Sequence, residues 1–191
     1  MTDTTDLTGS GLSRRTVLKS TAVAGSGLLF PSLAAANAAG VGADDPLGFR
    51  SAVALARLIR EGAVSSVELT RYFIDRIERY DDALNAIPVR DFEAALAAAA
   101  AADKARARGE SLGPLHGLPM TIKESYDIAG LPTTWGNPAW KDNIAEHDSA
   151  TVIRLKQAGA HFMGKTNVPF MLGDFQSFND IYGTTNNPWD T

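Results

Sequence analysis

Lysine and serine, rather than cysteine or a histidine cluster, are the side chains with which this sequence could do covalent chemistry. It has no cysteine and three scattered histidines, His116, His147 and His161. That removes thiol nucleophiles and Cys-ligated metals and makes a His-based metal site or triad hard to assemble. Two lysines stand in patterned surroundings. Lys123 follows the apolar run Leu118-Pro119-Met120-Thr121-Ile122, just before the turn-forming Asp127-Ile128-Ala129-Gly130, and strand ends are where α/β proteins place their chemistry. Taken alone, the weightier reading of such a lysine is a solvated charge whose stem lies along apolar surface. Lys165 lies in Gly159-Ala160-His161-Phe162-Met163-Gly164-Lys165-Thr166, which fits the string of a phosphate-binding loop. Such a loop needs a strand before its first glycine and a helix opening at its Lys-Thr. Here a helical pattern precedes Gly159, the intervening residues are strand-like, and Pro169 follows closely. Gly159 is therefore read as a helix end and His161-Phe162-Met163 as a buried strand. A nucleotide-binding module built on Lys165 remains the alternative from a different class.

The elements that must position these lysines follow from periodicity. Ser51, Val53, Leu55, Leu58 and Ile59 recur with helical spacing before Gly62, which predicts a helix over 51–61. Ser65 and Glu68 form a capping-box pair opening a second helix that runs to about Tyr80. Asp91 is expected to cap a third, alanine-dense helix through Ala102 that ends in the charged stretch 103–109, its basic last turn complementing the helix dipole. Beyond Gly113, Leu118–Ile122 and His161–Met163 read as strands. Between them lies a helix over 150–158, capped by Asp148 or Ser149. Strand, helix, strand in this order predicts a βαβ unit, so the fold class is α/β: N-terminal helices, then the first strands and helices of a mixed sheet.

With 18 Lys+Arg against 22 Asp+Glu, a formal charge of −4 and no basic block, the chain lacks the electrostatic footprint of a nucleic-acid binder. Its 45% hydrophobic and 21% charged residues fit a globular chain rather than a disordered or multi-span one. The exception is the beginning. Ser13-Arg14-Arg15-Thr16-Val17-Leu18-Lys19 sets three positive charges before an uncharged stretch from Ser20 to Ala43, the layout of a signal peptide. Ala36-Asn37-Ala38 offers the small side chains that signal peptidase needs, so residues 1–38 are expected to be removed and 39–48 to form a linker. Gly25, Ser26, Gly27 and Pro31 weigh against the alternative, an uncleaved membrane anchor. Arg14-Arg15 followed by Leu18-Lys19 resembles a twin-arginine signal, with Val17 where Phe is usual. That resemblance implies handling by the twin-arginine export machinery and a periplasmic or extracellular destination.

The rest of the chain carries several motifs in order. They are Gly113-Pro114-Leu115-His116-Gly117-Leu118-Pro119-Met120-Thr121-Ile122-Lys123-Glu124, Thr133-Thr134-Trp135-Gly136, and Asp148 with Val152 and Leu155. Then come Ala158-Gly159-Ala160, Gly164-Lys165-Thr166-Asn167, Tyr182-Gly183 and Asn187-Pro188-Trp189-Asp190. From about residue 47 to 191 the chain resembles the N-terminal part of the amidase signature family. The resemblance implies an amide hydrolase with a Ser–cis-Ser–Lys triad, acting on a small-molecule amide without metal or cofactor, with Lys123 as the catalytic lysine. The cis-serine and nucleophile motifs are expected beyond Thr191. Residues 49–191 then read as an incomplete amidase domain, inactive alone, whose full-length form has a homo-oligomer as a possible assembly. A non-enzymatic folding or interaction fragment is the third reading. In this chemistry the lysine must be able to lose its proton. Moving it from about 10.4 toward 7 costs roughly 5 kcal/mol, so a dry site is expected around Lys123, which the apolar run before it suits. Glu124 replaces the commoner Asp, and Phe170 stands where many relatives carry Glu. Asp174, Gln176 and Ser177 resemble a loop bordering the family's substrate site and read equally well as a polar turn. The tRNA-dependent amidotransferases of the same family share these motifs, but an export signal is incompatible with charging tRNA in the cytoplasm.

Overall fold

The computed structural model describes residues 47–190, so the expected signal peptide and most of the linker lie outside the described residues. Helix α1, Ala52–Glu61, begins where the Ser51 hydroxyl accepts from the Ala54 N–H at 3.2 Å and ends at Gly62, whose N–H reaches back to Leu58 and Ile59. Helix α2, Ser66–Leu84, opens with the expected capping box: Glu68 N–H donates to Ser65 Oγ at 3.0 Å and Ser65 N–H to Glu68 Oε2 at 2.9 Å. It runs four residues past the expected end. There the buried Asp81 carboxylate accepts from the Ala86 and Ile87 N–H groups and from Arg90, turning the chain into strand β1, Val89–Arg90.

Helix α3, Phe92–Ala107, ends within the charged stretch as expected, with Lys104 and Arg106 in its last turn. Ala95, Ala99, Ala102 and Ala105 are buried along one stripe, and their small size lets α2 and α3 approach closely. The expected Asp91 side-chain cap is absent. Asp91 instead donates its N–H to the Met163 carbonyl at 2.9 Å, tying the start of α3 to the sheet. The capping carboxylate belongs to Asp103, which accepts from Ser66 and Val67 N–H at 2.8 and 3.0 Å across the helix pair. An anion at a helix start satisfies donors that have no partner within the helix.

Strand β2, Pro119–Lys123, helix α4, Ala150–Gln157, and strand β3, His161–Thr166, form the expected βαβ unit, with β2 and β3 parallel. Ser149 occupies the N-cap position of α4 without a side-chain bond, and Asp148 accepts from Ala129 N–H and Lys156 instead. The strand order is β1-β3-β2, with β1 antiparallel to β3, so the sheet is mixed and β3 is central. Ile122, Ile128, Val152 and Phe162 pack between the sheet and α4, while Ile74, Ala95 and Met163 pack the sheet on α2 and α3. His161 is buried, its Nε2 2.9 Å from Thr70 Oγ1, and burial lowers its pKa to about 4 against the opposing pull of Asp103. A two-stranded hairpin, β4 (Phe178–Asn179) and β5 (Gly183–Thr184), closes the described chain.

Candidate active site

Lys123 is the last residue of β2, opposite Thr166 in the parallel register, and the next N–H, that of Glu124, donates to the Thr166 carbonyl at 2.9 Å. Side chains alternate along a strand, so these neighbours face opposite ways. Lys123 is exposed, with no hydrogen bond or ion pair to its ammonium among the described residues. The apolar run ahead of Lys123 packs inward, and the described residues leave its side chain exposed, so the dry setting expected around it is not built from them.

Glu124 is the buried partner, with no exposed surface. Its Oε1 accepts from Thr134 N–H at 2.6 Å, Thr134 Oγ1 at 2.9 Å and the Tyr182 hydroxyl at 3.1 Å, and its Oε2 accepts from Trp135 N–H at 3.0 Å. Four donors on one carboxylate hold Trp135 at φ 54° and bring Gly136, at φ 66°, against Asn179. A Cβ on Gly136 would sit 2.8 Å from that of Asn179. Burial, helped by the Glu124 charge, raises the Tyr182 phenol to about 12, so it remains a donor.

Lys165 is also fully buried, because β3 is flanked by strands on both sides. Its ammonium donates to the Pro132 carbonyl and, at 2.8 Å, to Thr133 Oγ1. No helix opens at Lys165-Thr166: the pair ends β3, and the next turn is the short Phe170–Leu172 segment. The glycine-flanked string is a helix end followed by a buried strand, and the phosphate-loop geometry is absent. Burial lowers the Lys165 pKa to about 8 from 10.5, with Glu124 and Asp127 pulling the other way. The sign is fixed by linkage: between about pH 8 and 10.5 the unfolded chain keeps a proton that the folded chain has released, so stability rises with pH in that window. The wild type is expected to gain unfolding free energy relative to Lys165→Met between about pH 8 and 10 in urea titrations. A flat or falling difference would contradict this assignment.

Asn167 and Asn179 connect the strand end to the hairpin. Asn179 Nδ2 donates to Asn167 Oδ1 at 2.9 Å and to the Val168 carbonyl at 2.8 Å, and its Oδ1 accepts from the N–H groups of Ile181 and Tyr182. Of the loop residues singled out in the sequence, Asp174 folds its carboxylate onto the Phe175 and Gln176 N–H groups, and Gln176 donates to the Thr185 carbonyl at 3.1 Å. Both line a cleft of about 430 Å³ with Phe170 and Phe178. Ser177 contributes only its carbonyl, to Thr185 N–H. None of the three bonds to Lys123; their loop is tied to the Glu124 surroundings through the hairpin, by the Tyr182–Glu124 bond, and through the Met171 N–H to Trp135 carbonyl bond. Glu124 is visible in the sequence only as a change from the commoner Asp; its place next to a strand-end lysine, which puts it on the opposite face, is the available signal.

A mixed sheet carrying a lysine at a strand's carboxyl end, unpaired among the described residues and braced by a buried carboxylate, defines an α/β protein with a polar site at the sheet end. The family model described as Amidase matches residues 68–191, and the chain belongs to the amidase signature family. It is 48% identical to an indoleacetamide hydrolase from Bradyrhizobium diazoefficiens over 73% of this chain and 27% of that protein. It is 38% identical to an acylamidase from Rhodococcus erythropolis over 75% of this chain and 30% of that one. A bacterial aryl acylamidase of the amidase signature family superposes with TM-score 0.72 at 28% identity, covering 76% of this chain and 31% of the acylamidase. The chain thus spans less than a third of the length of these relatives.

Proposed function

We propose that this chain supplies the lysine-bearing N-terminal part of an exported amide hydrolase acting on small amides, an arylacetamide being the first to try given the similarity to an indoleacetamide hydrolase. The observation that carries this reading is Lys123: a lysine at the carboxyl end of a braced strand, its amine uncommitted to any described partner. In the proposed reaction a serine hydroxyl attacks the amide carbonyl carbon, and its proton passes through a second serine to the neutral Lys123 amine. The tetrahedral intermediate expels the amine, which takes the proton back through the same relay. Water then cleaves the acyl-serine ester. Both serines belong to sequence beyond Thr191. Low-dielectric surroundings supplied by that sequence would keep the Lys123 amine neutral.

The full-length protein is expected to release ammonia from a primary arylacetamide, and residues 39–191 alone to release none. Turnover by the shorter chain would overturn the three-residue mechanism. Arg14-Arg15 followed by an uncharged stretch supports export through the twin-arginine route. A double Arg→Lys replacement at these positions, followed by cell fractionation, tests that part separately.

A further inference from the structure

Three separate pieces of chain converge on the Glu124 carboxylate: the end of β2, the segment from Pro132 to Gly136, and the β4–β5 hairpin through Tyr182. Lys165, one strand over, grips the same segment two residues earlier, through Pro132 and Thr133. The segment is therefore strapped across the carboxyl ends of β2 and β3 by a buried anion and a buried cation. Beyond it, the Trp135 carbonyl accepts from Met171 N–H at 2.7 Å, which joins the strap to the Phe170–Leu172 turn beside the Asp174 loop.

We propose that Glu124 is a positioning residue for Lys123, fixing the strand end that bears the lysine relative to the Pro132–Gly136 segment and the hairpin around it. This rests on the amide-hydrolase reading and deepens it. The chemical requirement is an acceptor-only group. Every partner of Glu124 is a donor, three on one oxygen and one on the other. A glutamine of the same shape would turn its NH2 toward at least one of those donors in either amide orientation. Aspartate keeps both oxygens on a shorter stem. Charge and acceptor count, rather than volume, are what the site uses.

The test uses the full-length protein, with steady-state hydrolysis of an arylacetamide and hydrogen exchange at the Thr134 and Trp135 amides. Glu124→Gln is expected to lower kcat about 100-fold, the scale of a misplacement near 1 Å, with KM changed less than about threefold and both amides exchanging faster. Glu124→Asp should recover kcat to within about tenfold of wild type. A Gln variant with unchanged kcat but a lower unfolding midpoint would make Glu124 merely structural and overturn the proposal, as would unchanged exchange at Thr134 and Trp135. If Glu124→Gln does not fold, Thr134→Val, which removes one donor, decides: a fall in kcat at constant KM supports the proposal, and an unchanged kcat overturns it. If the wild type hydrolyses no amide, the functional reading fails by itself. The exchange measurement then still reads the strap: faster exchange in Glu124→Gln supports it, and unchanged exchange overturns it.

Discussion

Replacing Lys123 by alanine in the full-length protein is expected to lower kcat for amide hydrolysis by about 10³-fold or more, the scale on which members of a nucleophile–base unit act together. In residues 39–191 alone the same change should leave stability almost untouched. Lys123 is exposed and its ammonium has no partner among the described residues, and surface substitutions of that kind stay within about 0.5 kcal/mol. Loss of activity in the full-length protein, with an unchanged unfolding midpoint for residues 39–191, is therefore the signature of chemistry rather than of folding. Lys123→Arg sharpens it: arginine keeps the charge and the reach but cannot release a proton near neutral pH, so it is expected to be as inactive as alanine. Substantial turnover by the arginine variant would show that Lys123 contributes charge alone and would exclude it as the base.

The second large effect is on folding. Gly164 lies in β3 next to the irregularity between Met120 and Thr121 in the β2 register, with φ 155°. A Cβ there would meet the Val89 carbonyl oxygen, with the Arg90 Cα at 3.2 Å. The Ile87 Cγ2, at 3.1 Å, also crowds it, but the Val89 carbonyl and Arg90 Cα are backbone of the paired strand β1, so side-chain rotation does not relieve them. Crowding of this kind costs about 1–3 kcal/mol, and a disfavoured backbone conformation about 1–3 kcal/mol more. Gly164→Ala is accordingly expected to destabilise the fold by about 3–5 kcal/mol in denaturant titrations. The damage should spread along β1, because Asp91, just past that strand, bonds the Met163 carbonyl and anchors α3. A variant within about 1 kcal/mol of wild type would mean that the β1–β3 pairing contributes little.

The elements with local signals were legible and the ones without were not. The α1 cap, the α2 capping box and the βαβ order rest on residues within a few positions of each other, and the structure reproduces them. The β1 strand and the β4–β5 hairpin are two-residue pairings, too short to leave a periodic trace. Asp91 and Asp148 both looked like caps, and both are drawn elsewhere, Asp91 by its backbone to the sheet and Asp148 by its carboxylate to Ala129 and Lys156. Asp103, read as part of the charged end of α3, is there and also serves as the tertiary cap of α2.

The candidate site divides in the same way. The sequence by itself determined that a lysine closes an apolar strand, that a carboxylate follows it on the other face, and that the Gly-Lys-Thr string lacks the order a phosphate loop requires. Those facts depend on residue type and on a period of two. Only the tertiary structure decided which lysine is buried. Lys165 lies on the strand with neighbours on both sides and loses its water, whereas Lys123 ends a strand paired on one side among the described residues and is exposed there. Desolvation depends on what packs around a group rather than on what precedes it in the chain. For the same reason Glu124, one residue from Lys123, emerged as the joint of three chain segments only once Thr134, Trp135 and Tyr182 had been brought to it.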